Sequence, residues 1–448
     1  MDTLAGFDFI ALEHDTDGHP TSKALDELIA HVGSTGTTDV ILIAHGFRND
    51  ENEARTLYKN FLANFSAHLT RPELAGKMSA RRFAAGGIFW PSKQWSEGGS
   101  GDDEGNVQSV EHGATSDMTA TRTELEQLRD HQVRPEQRAV VDKAIALLDT
   151  LGDEGVQDTF VALLLSLVDE PEPDPTEGLN EVKAQTGSEL FAKLGTPIIL
   201  PIEKRDDEGG VMSVGHGGSA GGGGRVLSLG NFFKSIAGKA GQVLNMTTWY
   251  MMKNRSGSVG ANGVAPAVRA IKAAVPGVRV HLVGHSLGGR CMAATAKALS
   301  TNPRVQPDSL SLLEAAFSHY GLSPNNGKGN RGFFRDVIER HVVKGPFIST
   351  YSVQDTVVGI AYSVSSRLAG DNTKAVGDAN DQYGGIGRNG TQRTAEANNQ
   401  SVREVGDPYA FPLDLVNNLD GGNGSITNHS DVTNPRVTYA VACAIAQT

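Results

Sequence analysis

The chain has 448 residues and a net charge of −12, which argues against a nucleic-acid-binding surface as its main function. Its two cysteines, Cys291 and Cys443, exclude a disulfide scaffold and lie in apolar helical patterns, so we expect buried thiols. The first residues show no signal-peptide pattern, and no apolar run approaches the length of a membrane span. The expected location is therefore the cytoplasm, although signal-independent export would leave no trace in the sequence.

The first ninety residues alternate between strand and helix patterns. Apolar runs predict strands, and apolar residues at helical spacing predict helices. The predicted strands cover 7–12, 39–44 and 83–90, and the predicted helices cover 22–32 and 52–65. This alternation indicates a doubly wound, mostly parallel sheet with helices on both faces.

The alternation breaks over 92–244, which we interpret as a large, mainly helical and Gly-rich insertion. The predicted helices within it cover 140–151, 156–168 and 183–194, and a Gly-rich stretch at 206–224 is expected to be mobile. A helix at 231–253 leads out of the insertion. The predicted domains are a core of 1–91 and 245–448 and an insertion of 92–244 that could form a lid or cap.

Strand and helix patterns resume after the insertion. Helices are predicted at 259–274, 331–341, 356–368 and 437–446, and strands at 309–316, 346–353 and 412–419. A polar, Gly- and Asn-rich stretch at 370–406 is predicted to be a long loop.

The most informative motif follows a buried strand that starts at 278. Gly284-His285-Ser286-Leu287-Gly288 has the form Gly-x-Ser-x-Gly, and a helical pattern follows it. Strand, sharp turn and helix is the context of a nucleophile elbow, in which small residues flank a serine held in a strained backbone conformation. Gly284 and Gly288 meet that requirement, so Ser286 is the candidate nucleophile.

A serine hydroxyl needs a base to accept its proton and an acid to orient that base. Of the histidines after Ser286, only His429 follows a late strand, so it is the candidate base. Asp355 follows the 346–353 strand and is the candidate acid, although it would also serve as a helix N-cap. Glu314 remains the alternative acid.

An oxyanion hole needs two backbone N–H donors. Leu287, directly after the nucleophile, is the first candidate. Phe47 is the second, because Gly46 lets the loop after the 39–44 strand approach closely. His45 and His285 are interpreted as structural residues of the loop and the elbow.

These motifs resemble the α/β-hydrolase superfamily of the esterase and lipase type. The resemblance rests on His45-Gly46 after a strand, the elbow at 284–289, Asp355 after a strand and His429-Ser430-Asp431 near the end of the chain, and it covers 1–91 and 245–448. It implies an eight-stranded, mostly parallel sheet, a Ser-Asp-His triad, and neither a metal nor an organic cofactor. The family's cap domains more often follow a strand after the elbow, whereas this insertion precedes it.

The expected activity is hydrolysis of a carboxylic ester through an acyl-enzyme on Ser286, with a small-molecule or lipid ester as substrate. Three alternatives stay open: a peptidase or amidase, a membrane-directed phospholipase toxin, and a non-catalytic binding protein on a hydrolase scaffold. In the toxin, Phe232, Phe233, Trp249 and the Met251–Met252 pair would form an interfacial patch. The sequence leaves the oligomeric state open.

Overall fold

The computed structural model describes residues 1–93, 118–170, 172–194, 235–370 and 379–448. The chain forms two compact units. The sheet unit contains 1–93, 255–358 and 385–448, and the helical unit contains 94–254 and 359–384. The predicted division at 91 and 245 assigned one continuous insertion, whereas the helical unit also includes 359–384. The stretch at 206–224 that was expected to be mobile lies outside the described residues.

Within the described residues, nine strands form one sheet in the order β1-β2-β4-β3-β5-β6-β7-β9-β8. All neighbouring pairs are parallel except β1 with β2. The strands are β1 (Asp2–Leu4), β2 (Phe7–Glu13), β3 (Asp39–Ala44), β4 (Phe83–Phe89), β5 (Arg279–His285), β6 (Ser309–Leu313), β7 (Phe347–Tyr351), β8 (Ala397–Ser401) and β9 (Val416–Asp420). The predicted α/β class with a mostly parallel sheet is confirmed at this level.

The central strands are apolar because both of their faces are covered. Every residue of β3 is buried, as are the last six of β5. Ala44 lies beside Gly284 in the β3–β5 register, and Leu313 lies beside Thr350 in the β6–β7 register. Residues that follow neighbouring parallel strands therefore meet at the same edge of the sheet.

Helices flank the sheet and connect its strands. Outside the helical unit they are α1 (Ala24–Thr35), α2 (Glu51–Leu69), α3 (Pro72–Met78), α10 (Ala265–Ala274), α11 (Leu287–Leu299), α12 (Asp336–Glu339), α14 (Ile386–Asn389) and α15 (Pro435–Ile445). A capping box begins α2: the Asp50 carboxylate accepts from the Glu53 N–H at 3.0 Å, and the Glu53 carboxylate accepts from the Asp50 N–H at 2.6 Å. Helices α2 and α15 pack together, and they share one hydrophobic core with the face of the sheet that they cover.

The helical unit contains α4 (Met118–Asp130), α5 (Pro135–Leu147), α6 (Glu154–Leu165), α7 (Leu179–Lys183) and α8 (Gly187–Leu194). Two longer helices, α9 (Ile236–Ser258) and α13 (Thr356–Leu368), each contribute residues to both units. Within the helical unit, the buried Lys253 ammonium is paired with Glu177 and donates to the Tyr362 hydroxyl at 2.9 Å. Such a pair is tolerated in the interior because each charge has a partner.

Three residues of the interfacial patch suggested for the toxin alternative, Trp249, Met251 and Met252, are buried in this structure. Trp249 is 9% exposed, Met251 is 8% exposed and Met252 is fully buried. The Trp249 ring instead packs against Tyr362 and the Lys253 ammonium. Phe232 and Phe233 lie outside the described residues. No helix in the described parts of the chain is both long and apolar enough to cross a membrane.

Four predicted elements differ from the structure. The helix predicted at 183–194 starts only at Gly187, because α7 ends at Lys183 and Thr186 caps α8: its hydroxyl accepts from the Glu189 N–H. The 331–341 helix is reduced to the single turn of α12, and the 259–274 helix starts as a π-helical segment, Val259–Val264. The predicted long loop at 370–406 contains α14 and β8.

The edge strand β8 has no apolar signal because amide side chains pair it with β9. The Asn398 amide donates to the Asn417 side chain at 2.8 Å, and the Asn418 amide donates to Asn399 at 3.0 Å. A polar edge strand is common where one side of the strand has no partner strand. The resemblance implied eight strands, and the described residues form nine.

A buried polar cluster lies at the opposite end of β3 and β5 from the elbow. His281 donates through Nε2 to the Asp39 carboxylate at 3.0 Å and accepts at Nδ1 from the Ser309 hydroxyl at 2.8 Å. Burial lowers the pKa of His281. Burial alone would raise the pKa of Asp39, but hydrogen bonds from His281 and Thr38 and the charge of Arg81 lower it. The cluster therefore holds a neutral imidazole beside a carboxylate.

We predict that the sheet unit loses stability steeply as the pH falls below about 6.5, the usual histidine value. Five of its histidines have a lowered pKa, chiefly because they are buried: His14, His45, His68, His281 and His285. A group whose pKa is lower in the folded state than in the unfolded state stabilises the fold at a pH above its unfolded-state pKa. This contribution is lost as the pH falls toward the pKa of the folded state. Each such histidine contributes up to about 1.4 kcal/mol per pH unit in that window.

Urea unfolding midpoints measured from about pH 7.5 to about pH 5.5 check this prediction. His281→Asn should lower stability at neutral pH but make its pH dependence shallower. The control His19→Asn changes an exposed histidine and should leave the dependence unchanged. A midpoint that does not vary over this range would contradict the prediction.

Candidate active site

Ser286 lies on the turn between β5 and α11 in a strained backbone conformation. Its φ is 57° and its ψ is −125°, a region that residues with a Cβ rarely occupy. The surrounding backbone holds it there. The Ser286 N–H donates to the Leu313 carbonyl at 3.0 Å, and the Ser286 carbonyl accepts from the Gly289 and Ala316 N–H groups, each at 2.9 Å.

The glycines of the motif are required by backbone contact. A Cβ on Gly284 would lie 2.2 Å from the Gly288 carbonyl oxygen, and a Cβ on Gly288 would lie 2.2 Å from the Ala44 carbonyl oxygen. Real Cβ atoms do not come so close to backbone oxygens. The turn can therefore pack against the end of β3 only with glycine at both positions.

Gly46 brings the loop after β3 against the serine side chain. A Cβ on Gly46 would lie 2.7 Å from the Ser286 Cβ and 3.1 Å from its Oγ. His45 stabilises this loop: its Nδ1 donates to the Gly46 carbonyl at 3.0 Å, and its ring stacks on Trp90 with centroids 5.5 Å apart. Burial lowers the pKa of His45 to about 4, so the ring is neutral at physiological pH.

The two predicted oxyanion donors lie on the two segments that meet here. Leu287 is the first residue of α11, so its N–H has no acceptor within the helix. Phe47 directly follows Gly46 and is half-buried. The structure thus brings the backbone of Gly46 against the Ser286 side chain. Phe47 directly follows Gly46, and Leu287 directly follows Ser286.

Asp355 and His429 form a buried hydrogen-bonded pair. The Nδ1 of His429 donates to the Asp355 Oδ2 at 2.8 Å, which leaves Nε2 as the acceptor nitrogen of the ring. The other oxygen, Oδ1, accepts from the Val358 N–H at 2.9 Å. Asp355 therefore caps α13 and holds the His429 ring at the same time, and its role as the acid of a catalytic triad stays a prediction.

His285 connects His429 to the elbow. Its Nε2 donates to the His429 carbonyl oxygen at 2.8 Å, and the two ring centroids are 4.7 Å apart. Burial, and then the neighbouring His429, lower the pKa of His285 to about 3, so the ring stays neutral. The residue before Ser286 thereby anchors the loop that carries His429.

Glu314 is fully buried at the end of β6 and has a φ of 45°. One carboxyl oxygen of Glu314, one of Asp355 and a ring nitrogen of His429 all lie within 4.8 Å of one another. Burial, followed by the negative charges of Asp355 and Asp431, raises its pKa well above the usual glutamate value. Because Asp355 occupies the His429 Nδ1, the direct partner of the histidine is Asp355 and not Glu314.

The sequence prediction missed the segment around α14, which joins the loops after β6 and β7. The Gly387 N–H donates to the Ala315 carbonyl at 3.0 Å, and the Gly387 carbonyl accepts from the Ser352 N–H at 3.0 Å. The Arg388 guanidinium donates to the Val353 carbonyl and, at 3.2 Å, to the Asp355 carbonyl. The only signal for this segment was a cluster of glycines, which predicts a loop and not its contacts.

We predict that Gly46→Ala slows the reaction of Ser286 with an organophosphonate by about tenfold or more, because the new methyl group displaces the serine side chain from its position. The measurement is the labelling rate, followed by mass spectrometry. Gly76→Ala is the matched control: a Cβ there meets no atom within 4 Å, so it should leave the rate unchanged. Equal rates in the two variants would show that the loop does not determine the position of Ser286.

Searches against protein-family models, curated proteins and solved structures found no match to this chain.

Proposed function

We propose that the protein is a serine hydrolase of the α/β-hydrolase type that cleaves a carboxylic ester through an acyl-enzyme on Ser286. The observation that carries the proposal is the geometry of one edge of the sheet. A serine in a strained turn after β5 lies next to a histidine-bearing loop, and that histidine is hydrogen-bonded to a buried aspartate. Nucleophile, acid and base follow β5, β7 and β9 in the order Ser, Asp, His, which supports the hydrolase type.

In the proposed mechanism, His429 accepts the Ser286 proton while Oγ attacks the ester carbonyl carbon. The His429 Nε2 serves as the base because Nδ1 already donates to Asp355. The tetrahedral intermediate collapses with cleavage of the bond to the alkoxy oxygen, which takes the proton from His429 and leaves as an alcohol. His429 then activates a water molecule, which releases the carboxylic acid and restores Ser286.

Asp355 has two tasks in this mechanism. Its hydrogen bond fixes the tautomer and orientation of the His429 ring, and its charge stabilises the imidazolium that forms during each proton transfer. The capping bond from the Val358 N–H holds the carboxylate in place at the start of α13. The proposed acid is thus built into the start of a helix, where a backbone N–H helps to hold it.

The oxyanion would be stabilised by backbone N–H groups. Leu287 offers the first N–H of α11, where the helix dipole also favours negative charge. Phe47 is the proposed second donor, because the adjacent Gly46 brings this loop against the Ser286 hydroxyl. Preorganised donors of this kind typically contribute about 3 kcal/mol each to transition-state stabilisation.

We predict that a fluorophosphonate probe labels the wild type at Ser286 and that the protein hydrolyses p-nitrophenyl esters. Ser286→Ala should abolish labelling. Ser286→Ala and His429→Ala should each lower kcat by about 10³-fold or more, because the nucleophile and its base act as one unit. Asp355→Asn should fold normally, since asparagine also caps helices, but should lower kcat by about 10³-fold or more because the asparagine amide favours the other His429 tautomer.

Ser34→Ala and His341→Ala, which change an exposed serine and an exposed histidine, are the matched controls. Acyl chains of increasing length distinguish an esterase from a lipase, and the corresponding p-nitroanilides test for amidase activity. A folded wild type that neither reacts with the probe nor turns over any of these substrates would refute the proposed function.

A further inference from the structure

The Glu314 carboxyl lies near Asp355, and no donor for it is found among the described residues. Glu314 has no solvent exposure, and neither of its carboxyl oxygens receives a hydrogen bond from any residue that the structure describes. Its carboxyl lies within 4.8 Å of another acceptor, the carboxyl of Asp355. Two ionised carboxylates this close together and away from water repel each other strongly, so a proton between them is the simplest stabilising arrangement.

The hydrogen bonds decide which carboxyl holds that proton. Asp355 accepts from two N–H groups, at 2.8 Å from His429 and at 2.9 Å from Val358, and both bonds favour its ionised form. Glu314 accepts none from the described residues. Two carboxylates act on it, Asp355 and Asp431, and both favour its neutral form. The third titratable group of the cluster is His429, which lies within 4.8 Å and is bonded to Asp355. The proton therefore belongs on Glu314.

We propose that Glu314 is a neutral carboxylic acid that donates a hydrogen bond to the Asp355 carboxylate and is a positioning residue for the His429–Asp355 pair. Asp355 then accepts three hydrogen bonds, from His429, Val358 and Glu314. The third donor holds the carboxylate more firmly and withdraws part of its negative charge. The effect of this bond on catalysis rests on the proposed hydrolase function, whereas the neutral state of Glu314 does not.

The backbone around Glu314 is built to hold this arrangement. Its left-handed conformation is unusual for a residue with a Cβ and ends β6. A Cβ on Gly387 would lie 2.5 Å from the Glu314 carbonyl carbon, so α14 packs directly against this backbone. The Glu314 N–H donates to the Thr350 hydroxyl at 3.2 Å, which ties the residue to β7, the strand that precedes Asp355.

The same three side chains could offer ligands to a divalent cation, but the observed contacts favour a proton. A metal ion on the His429 Nδ1 would have to displace the proton that bonds to Asp355 at 2.8 Å. It would also have to remove the proton from Glu314. Metal binding is therefore an outcome that the experiment must distinguish.

The first test compares the pH dependence of kcat/KM for the wild type, Glu314→Gln and Glu314→Met with an ester substrate. Glutamine keeps a donor to Asp355, so its acid limb should coincide with that of the wild type and its kcat should stay within about threefold. Methionine has a similar volume but no donor. It should lower kcat by about tenfold with little change in KM, and the stronger charge on Asp355 should move the acid limb upward by about half a pH unit.

An ionised Glu314 predicts a different acid limb for the glutamine variant. Glu314→Gln would then remove a negative charge beside His429, and the acid limb would move to lower pH. That shift would overturn the proposal, as would equal kcat values and acid limbs in the glutamine and methionine variants. Glu339→Gln removes a surface carboxylate by the same chemical change and should leave the profile unmoved.

Infrared spectroscopy tests the neutral acid without relying on activity. The wild type at neutral pH should show the C=O stretching band of a protonated carboxylic acid, and Glu314→Gln should lack it. Absence of the band would overturn the proposal even in an active enzyme, whereas a band in a protein that lacks hydrolase activity would refute only the proposed function.

Calorimetry with Zn²⁺ tests the alternative of a metal site. Zn²⁺ binding that releases protons and is lost in Glu314→Gln would assign a metal site to these residues and overturn the proposal.

Discussion

The site depends on one close backbone contact, between the turn after β5 and the end of β3. Since Ala44 lies beside Gly284 in register, the next residues of both strands reach the edge of the sheet together. A Cβ on Gly288 would come within 2.2 Å of the Ala44 carbonyl oxygen, so this contact requires glycine. Gly46 continues it and places the loop backbone against the Ser286 side chain. The strained conformation of Ser286 follows from the same contact, because the chain must turn sharply to begin α11 there.

The histidines around this turn are assigned different tasks by their surroundings. His45 and His285 are held neutral by burial and donate to backbone carbonyls, so they fix loops. His429 is the one of the three whose ring bonds to a carboxylate, at 2.8 Å. A carboxylate partner stabilises an imidazolium, which a backbone carbonyl does far less well, and this is why the proposed mechanism gives the proton transfers to His429. The structural interpretation of His45 and His285 made from the sequence agrees with their contacts.

The sequence predicted those elements whose pattern is set by burial on both faces. The run at 39–44 is apolar throughout because β3 is covered on both sides, and its predicted bounds match the structure. The strand β8 was missed because amide side chains, and not apolar ones, pair it with β9. Ser286, Asp355 and His429 could be chosen by chain order, since residues after successive parallel strands share one edge. The contacts of Arg388 and Gly387 could not, because they depend on how a glycine-rich segment returns to that edge.

From the sequence, Asp355 and Glu314 are alternatives for one role, the acid that partners His429. The fold allows both residues to act on the same histidine in different ways. Neighbouring strands β6 and β7 end side by side, at Leu313 and Thr350, so acidic residues that follow them are brought together. Two buried carboxyls that lie within 4.8 Å of each other, as these do, are unfavourable as two anions but favourable as an acid and its acceptor. Asp355 has the N–H donors that stabilise a charge, and Glu314 has none within the described residues. On this argument both residues serve the same histidine, the one as its partner and the other as the donor that positions that partner.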